Sequence, residues 1–207
     1  DVLMKGFINT AQVLRAVLNK ETGILPKGNV LTHIAVAQMP QYHKLLFFTD
    51  AAVIPYPTPE QRTEQIKYVT ALCRQFGIAE PKIALIHCSE HVDERHFPCT
   101  ADYLEQKKRA EEGFFGPVRI DGPLDLKTSC SPAALKAKNV ESCVEGEAVF
   151  VPDCESGNLF YKTITLFCGA ITAGILQGPT APVVVPSRGD SPEAKFLSIA
   201  MAAMAHQ

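Results

Sequence analysis

Apolar runs alternate along this chain with segments whose apolar positions recur at helical spacing. "VLTHIAVAQ" (30–38) and "KLLFFTD" (44–50) are short, rich in β-branched and aromatic residues, and predict two strands. Their closeness predicts an antiparallel hairpin. "TPEQRTEQIKYVTALCRQFG" (58–77) places Ile66, Val69, Leu72 and Cys73 on one helical face. Thr58 reads as its N-cap, Pro59 as N1, Gln61 as N3 and Gly77 as its terminator. Further on, the pattern predicts a strand at 81–88, a helix with a charged outer face at 100–113 and a short strand at 117–123. A helix over 131–138, a strand over 147–153 and a helix over 155–169 follow. Strands at 172–178 and 181–187 and a closing helix at 191–205 complete the chain. Such alternation predicts an α/β fold with a mostly parallel sheet. Ligands in these folds bind beyond the carboxyl ends of the strands, where loops lead into helices.

Four such loops carry candidate chemistry. In "MKGFINT", Lys5 and Gly6 precede a helix capped by Asn9 or Thr10. A helix start offers unpaired N–H groups and a positive dipole end, which suit phosphate. In "TDAAVIPYPTPE", Asp50 ends a strand. In "PDCESGNLFYK", Ser156, Gly157 and Asn158 open a helix, and in "PSRGDSPE", Ser187, Arg188 and Gly189 open another. Singly, each is ordinary capping and turn chemistry. Asp190 with Glu193 matches a D-x-x-E capping box, so neither acid needs a catalytic role.

Composition narrows the function classes. The chain has 207 residues, 46% hydrophobic and 20% charged, with net charge −2, as expected of a globular protein with a real core. That balance gives no electrostatic case for nucleic acid or an anionic membrane. No apolar run approaches the roughly 20 residues needed to span a bilayer, and the first residues lack the features of a signal peptide. The seven cysteines are odd in number and include no CxxC, which reads as reduced thiols in a cytoplasmic protein. That compartment argues against reading Arg188-Gly189-Asp190 as an integrin-binding adhesion peptide. "HCSEHVDERHFPC" packs His87, Cys88, His91, His96 and Cys99 together, but the spacing fits no standard zinc finger, and a polar loop after a strand is the simpler reading.

Several stretches together resemble the phosphate acetyl/butyryltransferase family, most closely its butyryl branch. They are "DVLMKGFINTAQVLRAVLNKETG", "HIAVAQ", "LLFFTDAAVIPYPT", "DGPLDL", "VFVPDCESGNLFYKTITLF", "AGILQG" and "APVVVPSRGDSPEAKFLSIAMA". "PD-x-x-SGN-x-x-YK" followed by a terminal "SR-x-D-S" is the most specific combination, and "MKG" favours the butyryl branch. The resemblance implies acyl-CoA + phosphate ⇌ acyl phosphate + CoA, by direct transfer in an interdomain cleft. It implies a two-domain fold like isocitrate/isopropylmalate dehydrogenase, with helices on both faces of the sheet. On the family pattern, residues 1–20 and 180–207 belong to an incomplete first domain and 21–179 form the second; a separate N-terminal segment would complete the first. No cofactor and no metal are implied, because coenzyme A is a substrate, and the family forms homo-oligomers. Phosphate acetyltransferase and a non-catalytic acyl-CoA-binding regulator of the same fold are the alternatives.

The resemblance places Ser187 and Arg188 at the active site. Arginine binds phosphate oxygens bidentately and is always charged, and a serine hydroxyl can support an oxyanion. Gly189 lets the backbone come close. Lys5, Gly6, Asn9 and Thr10 form the second half of the anion site, and Asp50, Ser156, Gly157 and Asn158 line the cleft. The acetyl branch has an aspartate seven residues after the serine, assigned to the thiol proton. Here that position is Ala194, which leaves the base unassigned, with Asp190 as the candidate.

Overall fold

The computed structural model describes residues 1–144, 149–150 and 153–205. In chain order the elements are β1 (Leu3–Met4), α1 (Thr10–Val17), β2 (Thr32–Gln38), β3 (Leu46–Phe48), α2 (Pro59–Gln75), β4 (Lys82–Ile86), α3 (Cys99–Glu111) and β5 (Arg119–Leu124). Then come α4 (Leu126–Cys130), α5 (Pro132–Lys138), β6 (Val149–Phe150), α6 (Cys154–Phe167), β7 (Ile171–Gln177), β8 (Val183–Val184) and α7 (Pro192–Met204). Of the strand predicted over 147–153, residues 147–148 and 151–152 lie outside the described residues.

The chain forms two compact units. One comprises Asp1–Tyr56 and Asp153–Gln207, the other Pro57–Pro152. In the first unit the strand order is β1-β8-β7-β2-β3. β1 and β8 run parallel, whereas the β8–β7, β7–β2 and β2–β3 pairs are antiparallel. The predicted hairpin is there, with Ala35 opposite Phe48. The mostly parallel sheet is not: the fold is α/β with mixed strand pairing. The links β2–β3 and β7–β8 are too short for the crossover that parallel neighbours require, so they close as antiparallel turns. In the second unit the order is β6-β4-β5, and both pairs are parallel. There each link between strands carries helices, which is the geometry parallel pairing needs.

Local signals set most boundaries. Thr58 caps α2 and accepts from the Gln61 N–H, Gln61 returns the bond, and Pro59 occupies N1. Ile66, Val69, Leu72 and Cys73 are fully buried or nearly so. α4 escaped the sequence pattern, because a five-residue helix spans too little chain for a 3.6-residue period to register. α1 is held by its apolar face: Val13 and Val17 cluster with Leu31 just before β2, Leu176 of β7 and Val183 of β8. Among the described residues no helix is long and apolar enough to cross a membrane, and no disulfide joins the cysteines.

Candidate active site

β1 and β8 lie in register, with Leu3 opposite Val183 and Met4 opposite Val184. The Lys5 N–H extends the ladder by donating to the Val184 carbonyl at 2.9 Å. Parallel strands end on the same edge, so the loops entering α1 and α7 emerge as neighbours. α1 is capped by Asn9, whose side chain accepts from the Ala11 N–H at 3.0 Å while Gln12 reaches back to Asn9. The loop before α7 folds as a turn, and the Asp190 N–H donates to the Ser187 carbonyl at 3.2 Å.

Asp190 organises that turn. Its Oδ2 accepts from the Ser187 N–H at 2.7 Å, and its Oδ1 accepts from the Tyr161 hydroxyl at 3.3 Å. Tyr161, on α6, also meets Thr172 of β7 at 3.1 Å. Burial pushes the Tyr161 phenol above its ordinary range; the Thr172 bond opposes this and Asp190 adds to it, so the side chain remains a donor. The capping box expected of Asp190 and Glu193 is absent. Ser191 is the N-cap of α7, and its hydroxyl accepts from the Ala194 N–H at 3.1 Å. The serine one residue closer to Pro192 has the shorter reach, which leaves the carboxylate to face back toward Ser187 and Tyr161.

A cavity of about 220 Å³ opens here, and Thr10, His33, Asn158, Tyr161, Ser187 and Asp190 are among the residues around it. A larger one, about 460 Å³, has Leu166, Ala170 and Ile171 in its wall. The two share Lys162, Ser187, Asp190 and Ala194. The Ser187 hydroxyl makes no hydrogen bond among the described residues and is open to a ligand.

The predicted residues divide accordingly. Thr10, Asn158, Ser187 and Asp190 border the smaller cavity, and Gly189 the larger. Asn158 is steadied by donating to the Ala51 carbonyl at 3.0 Å. Arg188 is exposed, lines neither of these cavities and has no protein partner among the described residues. Lys5 is buried, with Nζ 3.5 Å from the Ile8 carbonyl, whereas a Cβ on Gly6 would meet open space.

Asp50 is fully buried rather than exposed to the cavity. Its oxygens accept from Thr32 Oγ1 at 2.8 Å and from the N–H groups of His33, Ala52, Val53 and Ile54. It is a carboxylate that fixes the 50–54 turn. Gly157 lets α6 press on that turn, since a Cβ there would lie 2.1 Å from the Asp50 carbonyl oxygen. Ser156 spends its hydroxyl on Asp153 Oδ1 at 2.9 Å, and Asp153 rather than Ser156 caps α6.

Three titratable residues of the smaller cavity were given no role from the sequence. Tyr161 and Lys162 are the "YK" of the α6 motif, and His33 is the one titratable side chain in the apolar run "HIAVA". Burial pushes the His33 imidazole below its ordinary 6.5, against the opposing pull of Asp50 and Asp190. In the His/Cys segment, His96 Nδ1 pairs with Asp93 at 2.8 Å and the His87 ring packs edge-on against Phe97. Among the described residues no three His, Cys, Asp or Glu side chains are placed to hold a metal ion.

A family model described as phosphate acetyl/butaryl transferase matches residues 1–203. The phosphate butyryltransferase of Clostridium acetobutylicum is 39% identical over 206 residues, spanning 99% of this chain and 68% of that protein. The phosphate acetyltransferase of Thermotoga maritima is 32% identical over 206 residues, with 99% and 69% spanned. Among solved structures, a branched-chain phosphotransacylase from Enterococcus faecalis V583 superposes with a TM-score of 0.87 at 30% identity, covering 100% of this chain and 74% of that one.

Proposed function

Because the chain belongs to the phosphate acetyl/butyryltransferase family, we propose that it moves a short acyl group, butyryl or a branched relative, between coenzyme A and phosphate. The observation that carries this reading is the open Ser187 hydroxyl at the junction of two adjoining chambers, beside a helix start. The reaction needs an anion site, a donor for the tetrahedral oxyanion and an apolar space for the acyl chain. Arg188 and Lys162 supply positive charge at the phosphate end, and the Thr10 start of α1 supplies N–H groups with Lys5 and Gly6 behind it. Ser187 supplies the oxyanion donor. Leu166, Ala170 and Ile171 border the acyl space. Asp190 holds Ser187 in place through its backbone N–H. Coenzyme A serves as substrate, and no cofactor enters the scheme.

The same reading takes the fold as a two-domain dehydrogenase-like architecture, divided near residues 20 and 180, whose first domain is completed by a preceding segment. It places the enzyme in the cytoplasm as a homo-oligomer. Exposed Leu159, Phe167 and Phe196 on α6 and α7 support the assembly. The test is coenzyme A release from butyryl-CoA with and without phosphate, run beside acetyl-, propionyl- and isobutyryl-CoA. Phosphate-dependent release, fastest with a four-carbon chain, is expected. Acyl-CoA binding without any phosphate-dependent release would leave the non-catalytic, regulatory reading in its place.

A further inference from the structure

We propose that His33 takes the thiol proton of coenzyme A during the transfer, an assignment that rests on the phosphotransacylase reading above. His33 sits on β2, between β7 and β3, and its ring lines the cavity that Ser187, Asp190 and Ala194 also border. The residue is only 9% exposed, and its Nδ1 is enclosed without a hydrogen-bond partner. Buried polar atoms are nearly always paired, and an unpaired one opposes folding, so its persistence beside a ligand-sized space calls for a functional reason. The neighbouring strand makes room for the ring: a Cβ on Gly174 would stand 2.6 Å from His33 Nε2.

The other acceptors in reach are occupied. Asp50 is sealed under five donors, and both Asp190 oxygens hold the Ser187 turn and Tyr161. Ala194 offers no base. The charged and titratable groups facing His33 are Asp50 at the end of β3, Asp190 before α7, and Tyr161 and Lys162 on α6. Burial, opposed by the two carboxylates, keeps the imidazole neutral near pH 7, with a lone pair to accept a proton. In the step, the thiol proton passes to the imidazole and the sulfur attacks the acyl carbon of the acyl phosphate. The carbon–oxygen bond to phosphate then breaks, and the departing phosphate takes the proton from the imidazolium. His33 returns to its neutral form.

The experiment is the initial rate with coenzyme A and butyryl phosphate, between about pH 5.5 and 9, for the full chain and for His33→Gln and His33→Asn. The unmodified chain should hold its rate down to below about pH 6.5. The variants should lose on the order of 10²-fold at pH 7. Their deficit should shrink as the thiol ionises on its own near about pH 8.5. A deficit equal at every pH marks a structural role and overturns the proposal, as does an unchanged rate at pH 7. If neither variant folds, the unmodified profile decides: a rate that follows only the thiol's own ionisation overturns it. No acyl transfer from butyryl phosphate to coenzyme A in the unmodified chain would overturn the phosphotransacylase reading itself, a different failure from the first two.

Discussion

At the scale of residues, function depends on who holds whom. Arg188 has no protein partner among the described residues, so Arg188→Ala should leave thermal unfolding unchanged and raise the KM for phosphate or abolish turnover; unaltered phosphate kinetics would remove it from the anion site. Ser187→Ala should lower kcat by roughly 10²-fold with little change in KM, if its hydroxyl supports the oxyanion. Gly174→Ala is the sharper probe of packing. The new methyl meets His33 Nε2 at 2.6 Å and Cε1 at 2.9 Å, so the ring must move. A loss of about 1–3 kcal/mol in stability is expected from overpacking, together with a fall in rate; calorimetry and the transfer assay measure the two. The sequence puts Ser187, Thr10 and Asn158 after strands or at helix starts, and the structure sets all three beside the smaller cavity. Asp190 and Asp50 were misread in role: both are acids at turns, and only three-dimensional reach shows that one ties down Ser187 and the other a buried loop. His33 was missed because strand periodicity treats a histidine in an apolar run as core. A polar ring at such a place was the available signal.

At the scale of elements, capping and charge pairing set local stability. The start of α4 gathers Asp125, Thr128 and Lys138, with Lys138 Nζ 2.6 Å from Asp125 Oδ2 and 2.8 Å from Glu90 Oε1. Partial burial would raise the Asp125 carboxyl, but the bonds from Lys138 and Thr128 outweigh it and bring it down to about 2. A depressed carboxyl stabilises the fold above its unfolded value of 3.8 and loses that contribution as pH falls toward 2. Lys138→Ala should therefore lower stability near neutral pH, by an amount that fades as pH falls toward 2, read by denaturant unfolding followed with circular dichroism at each pH; an effect equal across that range would dismiss the pairing. The helices and strands themselves were mostly legible, because Thr58, Pro59 and Gln61 are local signals that the chain obeys locally. Strand direction was not. It depends on whether a link is long enough to cross over, and the tight turns before β3 and β8 decide that against the alternating pattern.

At the scale of the whole molecule, the chain assembles one unit from its continuous middle and the other from its two flanking stretches. Every residue assigned to the chambers belongs to the second kind. Closing a long loop costs entropy before any contact rewards it, so pairing Leu3 with Val183 should be slow relative to pairing within 57–152. Pulsed hydrogen exchange during refolding should protect the amides of β4 and β5 before those of β1 and β8, with transfer activity returning in the later phase. Simultaneous protection would show that the ladder between the flanking stretches forms as readily as the local one. The parallel pairing of β1 with β8 then acts as a completion check during synthesis. A ribosome halted after the middle segment has made neither β8 nor α7, so β1 has no partner in its ladder and the chamber lacks Ser187, Asp190, Ala194 and Ser198.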